Sequence, residues 1–254
     1  MLLFLELIPY IIIFIFGITI GSFLNVCIYR IPLGESIVTA PSHCMTCGRK
    51  LKWYDMVPVF SWLVLGGKCR NCKSKISVQY PIIEGVNGIL YVVICAVNGM
   101  EWSSVIYCFM ASSLLVLSII DWRTYEIPFG INVFLFILGI AMTVLDRGNL
   151  VEHLIGMICV SGLLEVLYLV TGGGAIGGGD IKLMFACGLM LGWKLILLAF
   201  FLGCIIGSVV HIIRMAAKKA GRMLAMGPYL SVGILLAALW GNAWISWYLS
   251  LLGL

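Results

Sequence analysis

Long apolar runs separated by short polar segments dominate this sequence. A helix needs about 20 mainly apolar residues to cross a bilayer, and most of the runs approach that length. They lack the alternation of a membrane β-barrel, so each run predicts a helix. The runs cover residues 8–29, 81–98, 103–120, 129–145, 153–170, 181–192, 195–213 and 229–251. The pattern therefore predicts an all-α polytopic membrane protein with about eight transmembrane helices.

The composition supports this class of protein. Hydrophobic residues make up 62% of the 254 residues and charged residues only 11%, whereas soluble domains carry about 25% charged residues. A soluble enzyme of this length cannot cover so much apolar surface, and a disordered chain, a collagen or a coiled coil is excluded as well. The first run lacks the basic start and the cleavage site of a signal peptide, so we expect it to remain as a helix.

The basic residues are unevenly distributed between alternate loops. If the N-terminus lies outside, the inner segments carry 14 of the 16 Lys and Arg residues. These segments are residues 30–80, 121–128, 171–182 and 214–228. Because basic loops remain in the cytosol, we predict a multi-pass protein with both termini outside.

Four cysteines in the first polar segment form two CxxC pairs, Cys44–Cys47 and Cys69–Cys72. Each pair can offer two thiolates from one tight turn, and four thiolates complete the tetrahedral shell of Zn²⁺. The predicted topology makes the segment cytosolic, where disulfides are disfavoured. We therefore predict a small cytosolic module with a structural zinc site between the first two membrane helices; two disulfides or a redox dithiol are the alternatives. We attribute the basic charge to topology or to lipid headgroups, and not to nucleic-acid binding.

Two aspartates lie where apolar runs meet inner loops. Asp121 ends the third run, Asp180 opens the sixth, and both belong at the cytosolic edge of the membrane in the predicted topology. A carboxylate beside hydrocarbon is costly and is a functional candidate. If the two converge, they would share one proton and could activate a water against a peptide carbonyl, as in aspartic proteases. The alternatives are that Asp121 reaches the interface and that Asp180 caps a helix.

The residues around Asp180 are candidates for supporting roles. Gly177, Gly178 and Gly179 precede it and allow another backbone to approach closely. Lys182 follows it, as an ion-pair partner or as an anchor at the interface. Glu84, within the second run, is expected to have a paired structural role.

Several motifs resemble those of the type IV prepilin peptidases, a family of bifunctional leader peptidases and N-methyltransferases. The resemblance covers most of the chain. The matching segments are GSFLNVCIYRIP (21–32), the cysteine segment from CMTC to YPIIEG (44–85), DWRTYEIP (121–128), GGGDIKLM (177–184) of the GxGD type, and GPYLSVG (227–233). The chain departs from the family pattern at Phe129, where an acidic residue is usual, and at Ala225-Met226, where Pro-Phe is usual.

The resemblance implies a membrane aspartic endopeptidase of the bacterial inner membrane, with its active site facing the cytosol. Asp121 and Asp180 inherit the catalytic roles. The implied substrates are prepilins or pseudopilins, with a short basic leader, a Gly before the cut and then an apolar helix that commonly starts with Phe. The family also methylates the new N-terminus with S-adenosylmethionine, and no residue here is matched to that methyl donor.

The same resemblance suggests a division of the chain into three parts. Residues 1–30 would form the first transmembrane helix, 31–80 the zinc module associated with methyl transfer, and 81–254 a seven-helix peptidase domain. Two alternatives are kept open. A presenilin-like intramembrane protease also uses GxGD but would not account for the cysteine module. A proton-coupled transporter would place its carboxylates near the midplane and would show repeated halves, which are not evident here.

Overall fold

A computed structural model of the chain describes residues 2–39, 41–174, 176–217 and 224–253. Within these ranges the chain is built from α-helices joined by short turns and 3₁₀ segments. The helices are α1 (Leu2–Arg30), α2 (Phe60–Val64), α3 (Gln79–Asn98), α4 (Trp102–Thr124), α5 (Phe129–Leu145), α6 (Leu150–Val170), α7 (Gly178–Leu191), α8 (Trp193–Ala216) and α9 (Gly227–Leu251). The all-α class is thus confirmed, and every predicted run forms a helix. The short α2 lies in the cysteine segment and was not predicted.

The helices differ in whether they are long enough to cross a bilayer. Six helices of the described chain are long and apolar enough to cross a bilayer: α1, α3, α4, α6, α8 and α9. By contrast, α5 has 17 residues and α7 has 14. The predicted count of eight spans therefore stays a prediction, as does the orientation of the termini. Residues 218–223 of the predicted inner segment 214–228 lie outside the described residues.

Helix α7 is enclosed by protein for most of its length. Leu183, Met184, Cys187 and Met190 have no exposed surface, and α5 and α6 pack against the helix. A helix that is apolar around its whole circumference belongs in the interior of a protein or a bilayer. Here neighbouring helices supply that apolar surrounding, which is consistent with a helix too short to span the membrane alone.

The chain divides into two compact units, Met1–Met100 and Glu101–Leu254. In the first, which we call unit 1, α1 packs along α3, and the segment between them carries the cysteine pairs and α2. In the second, unit 2, α7 lies among α5, α6 and α8, and α9 packs against α4 and α8. The division into three parts expected from the resemblance concerns activities and remains a prediction.

A tight link joins α4 to α5 and positions the end of α4. Tyr125 adopts a left-handed conformation with φ 56°, and its N–H donates to the carbonyl oxygen of Asp121 over 2.8 Å. Pro128 then precedes α5, and a proline disfavours helical conformation in the residue before it. The chain therefore reverses within a few residues, one turn after Asp121.

Candidate functional site

The two aspartates lie at the ends of different helices of unit 2. Asp121 is in the last turn of α4 and is buried, with 4% of its surface exposed. Asp180 is the third residue of α7 and is half-buried. The negative charge of Asp121 is close enough to act on the carboxyl group of Asp180. The structure therefore brings the two predicted site residues within electrostatic range of each other.

A direct contact between the link after α4 and the first turn of α7 brings these helix ends together. Ile127, in the link after α4, packs on Gly179, and a Cβ atom at Gly179 would lie 2.8 Å from the Cβ of Ile127. The side-chain amide of Asn132, on α5, reaches the carbonyl oxygen of Gly179 at 3.5 Å. At Gly179 the close neighbour is a side chain, and the prediction that these glycines admit another backbone stays a prediction. The sequence did not indicate Ile127 or Asn132 as its partners.

The start of α9 reaches the carboxyl group of Asp121. The backbone N–H of Gly227 donates a hydrogen bond of 2.9 Å to Oδ2 of Asp121. The sequence pointed to Gly227 only through its membership of a family-like segment, because no local pattern links it to a residue 106 positions away. Through this bond α9 becomes the third helix, after α4 and α7, that contributes to the site.

The structural alternatives for the two aspartates do not fit their surroundings. Asp121 is too buried to be an interfacial side chain that reaches for water. Gly177, and not Asp180, occupies the cap position of α7, and no side chain caps that helix. A pair of carboxyl groups, largely removed from solvent at the meeting point of three helix ends, can instead hold and activate a water molecule.

The other predicted supporting residues, Gly177, Gly178 and Lys182, each have different surroundings. Oδ2 of Asp180 lies against Gly177, where a Cβ would be 3.1 Å from that oxygen. Gly178 faces open space. The ammonium group of Lys182 lies 5.2 Å from the ring centroid of Phe129, the first residue of α5. Lys182 thus makes a cation–π contact that was not predicted, and its two predicted roles stay predictions.

The four predicted metal ligands converge in unit 1. The thiol sulfur atoms of Cys44, Cys47, Cys69 and Cys72 all lie within 4.8 Å of one another, and those of Cys44 and Cys72 are 3.8 Å apart. Four sulfurs at about 2.3 Å from a zinc ion would be separated by about 3.8 Å. The cluster therefore has the donor set and the approximate dimensions of a tetrahedral metal site.

Two similar turns form this cluster. In the first, the N–H of Gly48 donates to the carbonyl of Cys44, and in the second the N–H of Lys73 donates to that of Cys69. Gly48 and Lys73 both have positive φ, 69° and 58°. The side chain of Arg49 donates to Asn71 over 2.9 Å and joins the turns. The two CxxC pairs are thus presented by matching backbone geometry.

Hydrogen bonds favour the thiolate form of two of these cysteines, Cys44 and Cys72, whereas the pKa of Cys47 is raised. The backbone N–H groups of Cys47 and Thr46 lower the pKa of the Cys44 thiol from its ordinary value to about 6. The hydroxyl and the backbone of Ser74 also lower the pKa of Cys72. Because the thiolate is the metal ligand, these donors prepare the cluster for a cation.

A cavity of about 370 Å³ lies in unit 1, between the cysteine cluster and the facing ends of α1 and α3. Aromatic side chains line it together with five Lys and Arg residues and two carboxyl groups, Asp55 and Glu84. Asp55 pairs with Arg70 over 2.8 Å. Glu84 accepts a 2.6 Å hydrogen bond from the N–H of Val59, a residue with the unusual φ of 60°. The sequence contains no pattern that predicts this cavity.

These features define a class: a helical membrane protein with a pair of carboxyl groups at helix ends and a four-thiol cluster suited to a metal. Comparison with known proteins narrows the class. Residues 15–98 match the family described as the bacterial peptidase A24 N-terminal domain, and residues 108–212 match the type IV leader peptidase family. The chain belongs to the type IV leader peptidase family, and the resemblance predicted from its motifs is confirmed.

Named relatives support the same assignment. The chain is 33% identical to the prepilin leader peptidase/N-methyltransferase of Bacillus subtilis (strain 168), over 94% of this chain and 98% of that protein. It is 34% identical to the protein of that name from Myxococcus xanthus (strain DK1622), over 82% of this chain and 64% of the relative. The Xanthomonas campestris protein is 31% identical over 94% of this chain. No solved structure matches the chain.

Proposed function

We propose that this protein is a membrane aspartic endopeptidase that removes the basic leader from prepilins or pseudopilins and then methylates the new N-terminal amine. The observation that carries the proposal is the convergence of Asp121 and Asp180, in a chain that belongs to the type IV leader peptidase family. The relatives that bear the name prepilin leader peptidase/N-methyltransferase support both activities.

Peptide hydrolysis would proceed through one water molecule held between the two carboxyl groups. The ionised carboxylate removes a proton from the water as its oxygen bonds to the scissile carbonyl carbon, while the protonated carboxyl donates a hydrogen bond to the carbonyl oxygen. The tetrahedral intermediate then collapses, the C–N bond breaks, and the leaving amine takes a proton from a carboxyl group. No covalent acyl-enzyme forms in this route.

The proposed topology suits such a substrate. A basic leader stays in the cytosol under the same charge rule that orients the enzyme. The apolar helix of the substrate lies in the bilayer, so its cleavage point is at the membrane boundary. We place the aspartate pair at this depth, on the cytosolic side of the bacterial inner membrane, where water is available.

The cysteine cluster would hold a structural zinc ion. Cys44, Cys47, Cys69 and Cys72 supply four sulfurs, and a shell of four protein ligands leaves no open position for a reacting water. The ion would stabilise residues 31–80, which have few helical hydrogen bonds of their own. Its function is therefore to keep the wall of the unit 1 cavity in shape.

We assign the methyl donor, S-adenosylmethionine, to the unit 1 cavity. Its volume lies in the range of small-molecule sites, and its lining suits a ligand with an aromatic base and a positive sulfonium. Tyr54, Trp62 and Tyr80 offer ring surfaces, while Glu84 offers a carboxyl group. S-adenosylmethionine would supply an electrophilic methyl group, and the chain would bind it and position the amine that receives it. Unit 1 then methylates and unit 2 cleaves.

One experiment tests both activities. The purified full-length protein in liposomes is incubated with a prepilin and S-adenosylmethionine, and the product mass is measured. We expect a cleaved product that carries one added methyl group. Asp121→Asn and Asp180→Asn should each abolish cleavage, and both should still methylate a pre-cleaved peptide. Asp146→Asn, in a different loop of unit 2, is the matched control and should cleave normally.

Two outcomes would contradict the proposal. Cleavage by both Asp121→Asn and Asp180→Asn would remove the pair from the mechanism. Transport without proteolysis by the purified protein would favour the transporter instead. The family assignment and the position of both carboxyl groups at helix ends already disfavour a transporter, and the cysteine cluster disfavours a presenilin-like protease.

A further inference from the structure

The hydrogen bond between Gly227 and Asp121 is buried and is fixed by the packing of two helices. It joins the first residue of α9 to the last turn of α4, and both residues are buried. The two helices pack against each other, so the bond is held by tertiary structure and not by a flexible loop. The donor is a backbone N–H, which has no rotamers and therefore a fixed direction.

The start of α9 leaves this N–H available. The first N–H groups of a helix have no partner within the helix, and they carry the positive end of its dipole. No side chain caps α9, and Pro228, the next residue, has no N–H at all. The carboxyl group of Asp121 takes the place of a cap. A hydrogen bond of this kind is stronger when the acceptor is ionised, so it favours the carboxylate form of Asp121.

Only glycine fits at this point of contact. A Cβ at position 227 would lie 2.7 Å from Oδ2 of Asp121 and 3.0 Å from Cδ2 of Leu117. Gly227 does not have a positive φ, so the requirement comes from space and not from backbone conformation. Any side chain would push the carboxyl group away from its donor.

The carboxyl group of Asp180 has a different environment. Its Oδ1 is buried and has no hydrogen-bond partner among the described residues. Its Oδ2 lies against Gly177, whose backbone N–H also favours the charged form, so the difference from Asp121 rests on Oδ1. A buried carboxylate oxygen without a donor is unfavourable when charged. A proton on Asp180 removes that charge and provides an O–H that can donate to a substrate carbonyl.

We infer that Gly227 is a positioning residue of the peptidase, whose N–H holds Asp121 as the ionised general base and leaves the shared proton on Asp180. This inference rests on the proposed peptidase function. Gly227 touches no substrate in this scheme and acts only through Asp121. In this scheme Asp121 is the general base, and Asp180 is the carboxyl group that donates a hydrogen bond to the substrate.

Other titratable groups surround this end of unit 2. Lys182 lies over Phe129, and the guanidinium of Arg214 lies over the ring of Trp122. The hydroxyl of Tyr229 is buried without a partner among the described residues. The titratable side chains of the elements packed here are Arg123, Tyr125 and Glu126 after Asp121, Asp180 and Lys182 of α7, Glu165 and Tyr168 of α6, His211 and Arg214 of α8, and Tyr229 of α9. The Nδ1 of His211 is buried without a partner among the described residues. The first two turns of α5 carry none.

The first test measures cleavage against pH for the wild type and Gly227→Ala in liposomes. We expect kcat to fall about 10- to 100-fold, since a small misplacement of a reacting group has effects of that order, with KM within about threefold. The acid limb of the profile should move to higher pH, because the carboxylate has lost its donor. A purely structural defect would lower the cleavage rate at every pH and leave the acid limb of the profile at its wild-type pH.

A matched control is available in the same unit. Gly130 lies in the first turn of α5, and a Cβ there would meet open space. Gly130→Ala should keep both the rate and the pH profile of the wild type. The thermal midpoint of Gly227→Ala in detergent, compared with that of the wild type, reports whether unit 2 has folded.

A second measurement does not depend on the folding of that variant. Met226–Gly227 is the only Met–Gly pair in the sequence, so ¹³C-carbonyl Met and ¹⁵N-Gly labelling isolates the Gly227 amide as one NMR signal in detergent. We expect this signal to shift with pH along the acid limb of the wild type, and to lose that titration in Asp121→Asn. An amide that does not titrate in the wild type overturns the inference.

The outcomes separate the inference from the function on which it rests. If Gly227→Ala retains the wild-type rate and profile, while Asp121→Asn and Asp180→Asn are inactive, the inference is wrong and the peptidase assignment stands. If both Asn variants still cleave prepilin, the peptidase assignment itself fails.

Discussion

Ile127 lies directly against the backbone of Gly179, in the space that a side chain at position 179 would need. The contact links the loop after Asp121 to the residue before Asp180. Two helix ends that are far apart in the sequence are thereby set at a short separation. The aspartate pair depends on this contact between an isoleucine side chain and a glycine.

Gly179→Ala should disturb both stability and cleavage. The added methyl group would overlap Ile127, and overpacking at such a contact costs about 1–3 kcal/mol. We expect a lower thermal midpoint and a slower cleavage rate, because the two helix ends are forced apart. Thermal unfolding in detergent and prepilin cleavage measure the two effects.

A size swap tests the cause of that defect. The nearest atom of Ile127 is its Cβ, so only Ile127→Gly removes the overlap fully. In the double variant Gly179→Ala/Ile127→Gly, the loss of cleavage should be smaller than the sum of the two single losses, since contacting residues are not additive. Strictly additive losses would show that Ile127 and Gly179 do not act through this contact.

Substitutions of Glu84 should separate its charge from its hydrogen bond. Gln keeps an oxygen that can accept from the N–H of Val59, while Ala leaves that N–H without its acceptor. We expect Glu84→Ala to lower stability by about 1–3 kcal/mol and Glu84→Gln to lower it less. Both should raise KM for S-adenosylmethionine about tenfold, which corresponds to about 1.4 kcal/mol. Prepilin cleavage should continue in both variants.

The comparison of Glu84→Ala with Glu84→Gln tests whether the methyl donor binds beside Glu84 in the unit 1 cavity. If Glu84→Gln binds S-adenosylmethionine with the wild-type KM, the carboxyl group does not contact the sulfonium. Gln79, the first residue of α3 and five residues before Glu84, lies outside the lining of the cavity and is the control site. Gln79→Ala should leave KM for the donor unchanged.

Loss of one thiol should release the zinc ion. Cys44→Ser or Cys72→Ser leaves three sulfur ligands, and we expect the zinc content to fall from about one ion per chain to near zero, because structural sites need the complete shell. Residues 30–80 should then become sensitive to protease. Metal analysis of the purified protein and limited proteolysis measure both changes.

A cysteine outside the cluster serves as the control for that experiment. Cys204 lies in α8, and its substitution by Ala should leave the zinc content unchanged. Removal of zinc by a chelator should reproduce the protease sensitivity of Cys44→Ser in the wild type. Full zinc occupancy in a variant that lacks all four cluster cysteines would contradict the assignment.

Local patterns in the sequence were sufficient to predict the helices and to single out the four cysteines that converge. Apolar runs specify membrane helices because backbone N–H and C=O groups inside the bilayer must bond to each other, and because the thickness of the bilayer sets the length of the helix. The two CxxC pairs specify four thiolates because each tight turn presents two sulfurs by its own geometry. Asp121 and Asp180 were identified because acidic side chains are rare beside such runs. The cation–π contact of Lys182 was not predicted, since Phe129 lies on another helix.

The sequence by itself determined the all-α membrane class, the four cysteines and the two candidate aspartates, because each depends on residues near one another in the chain. Only the tertiary structure decided that Asp121 and Asp180 lie within range, that Ile127 fills the space at Gly179, and that Gly227 donates to Asp121. These contacts join positions up to 106 residues apart. They arise from how whole helices pack, and no local periodicity or spacing carries that information.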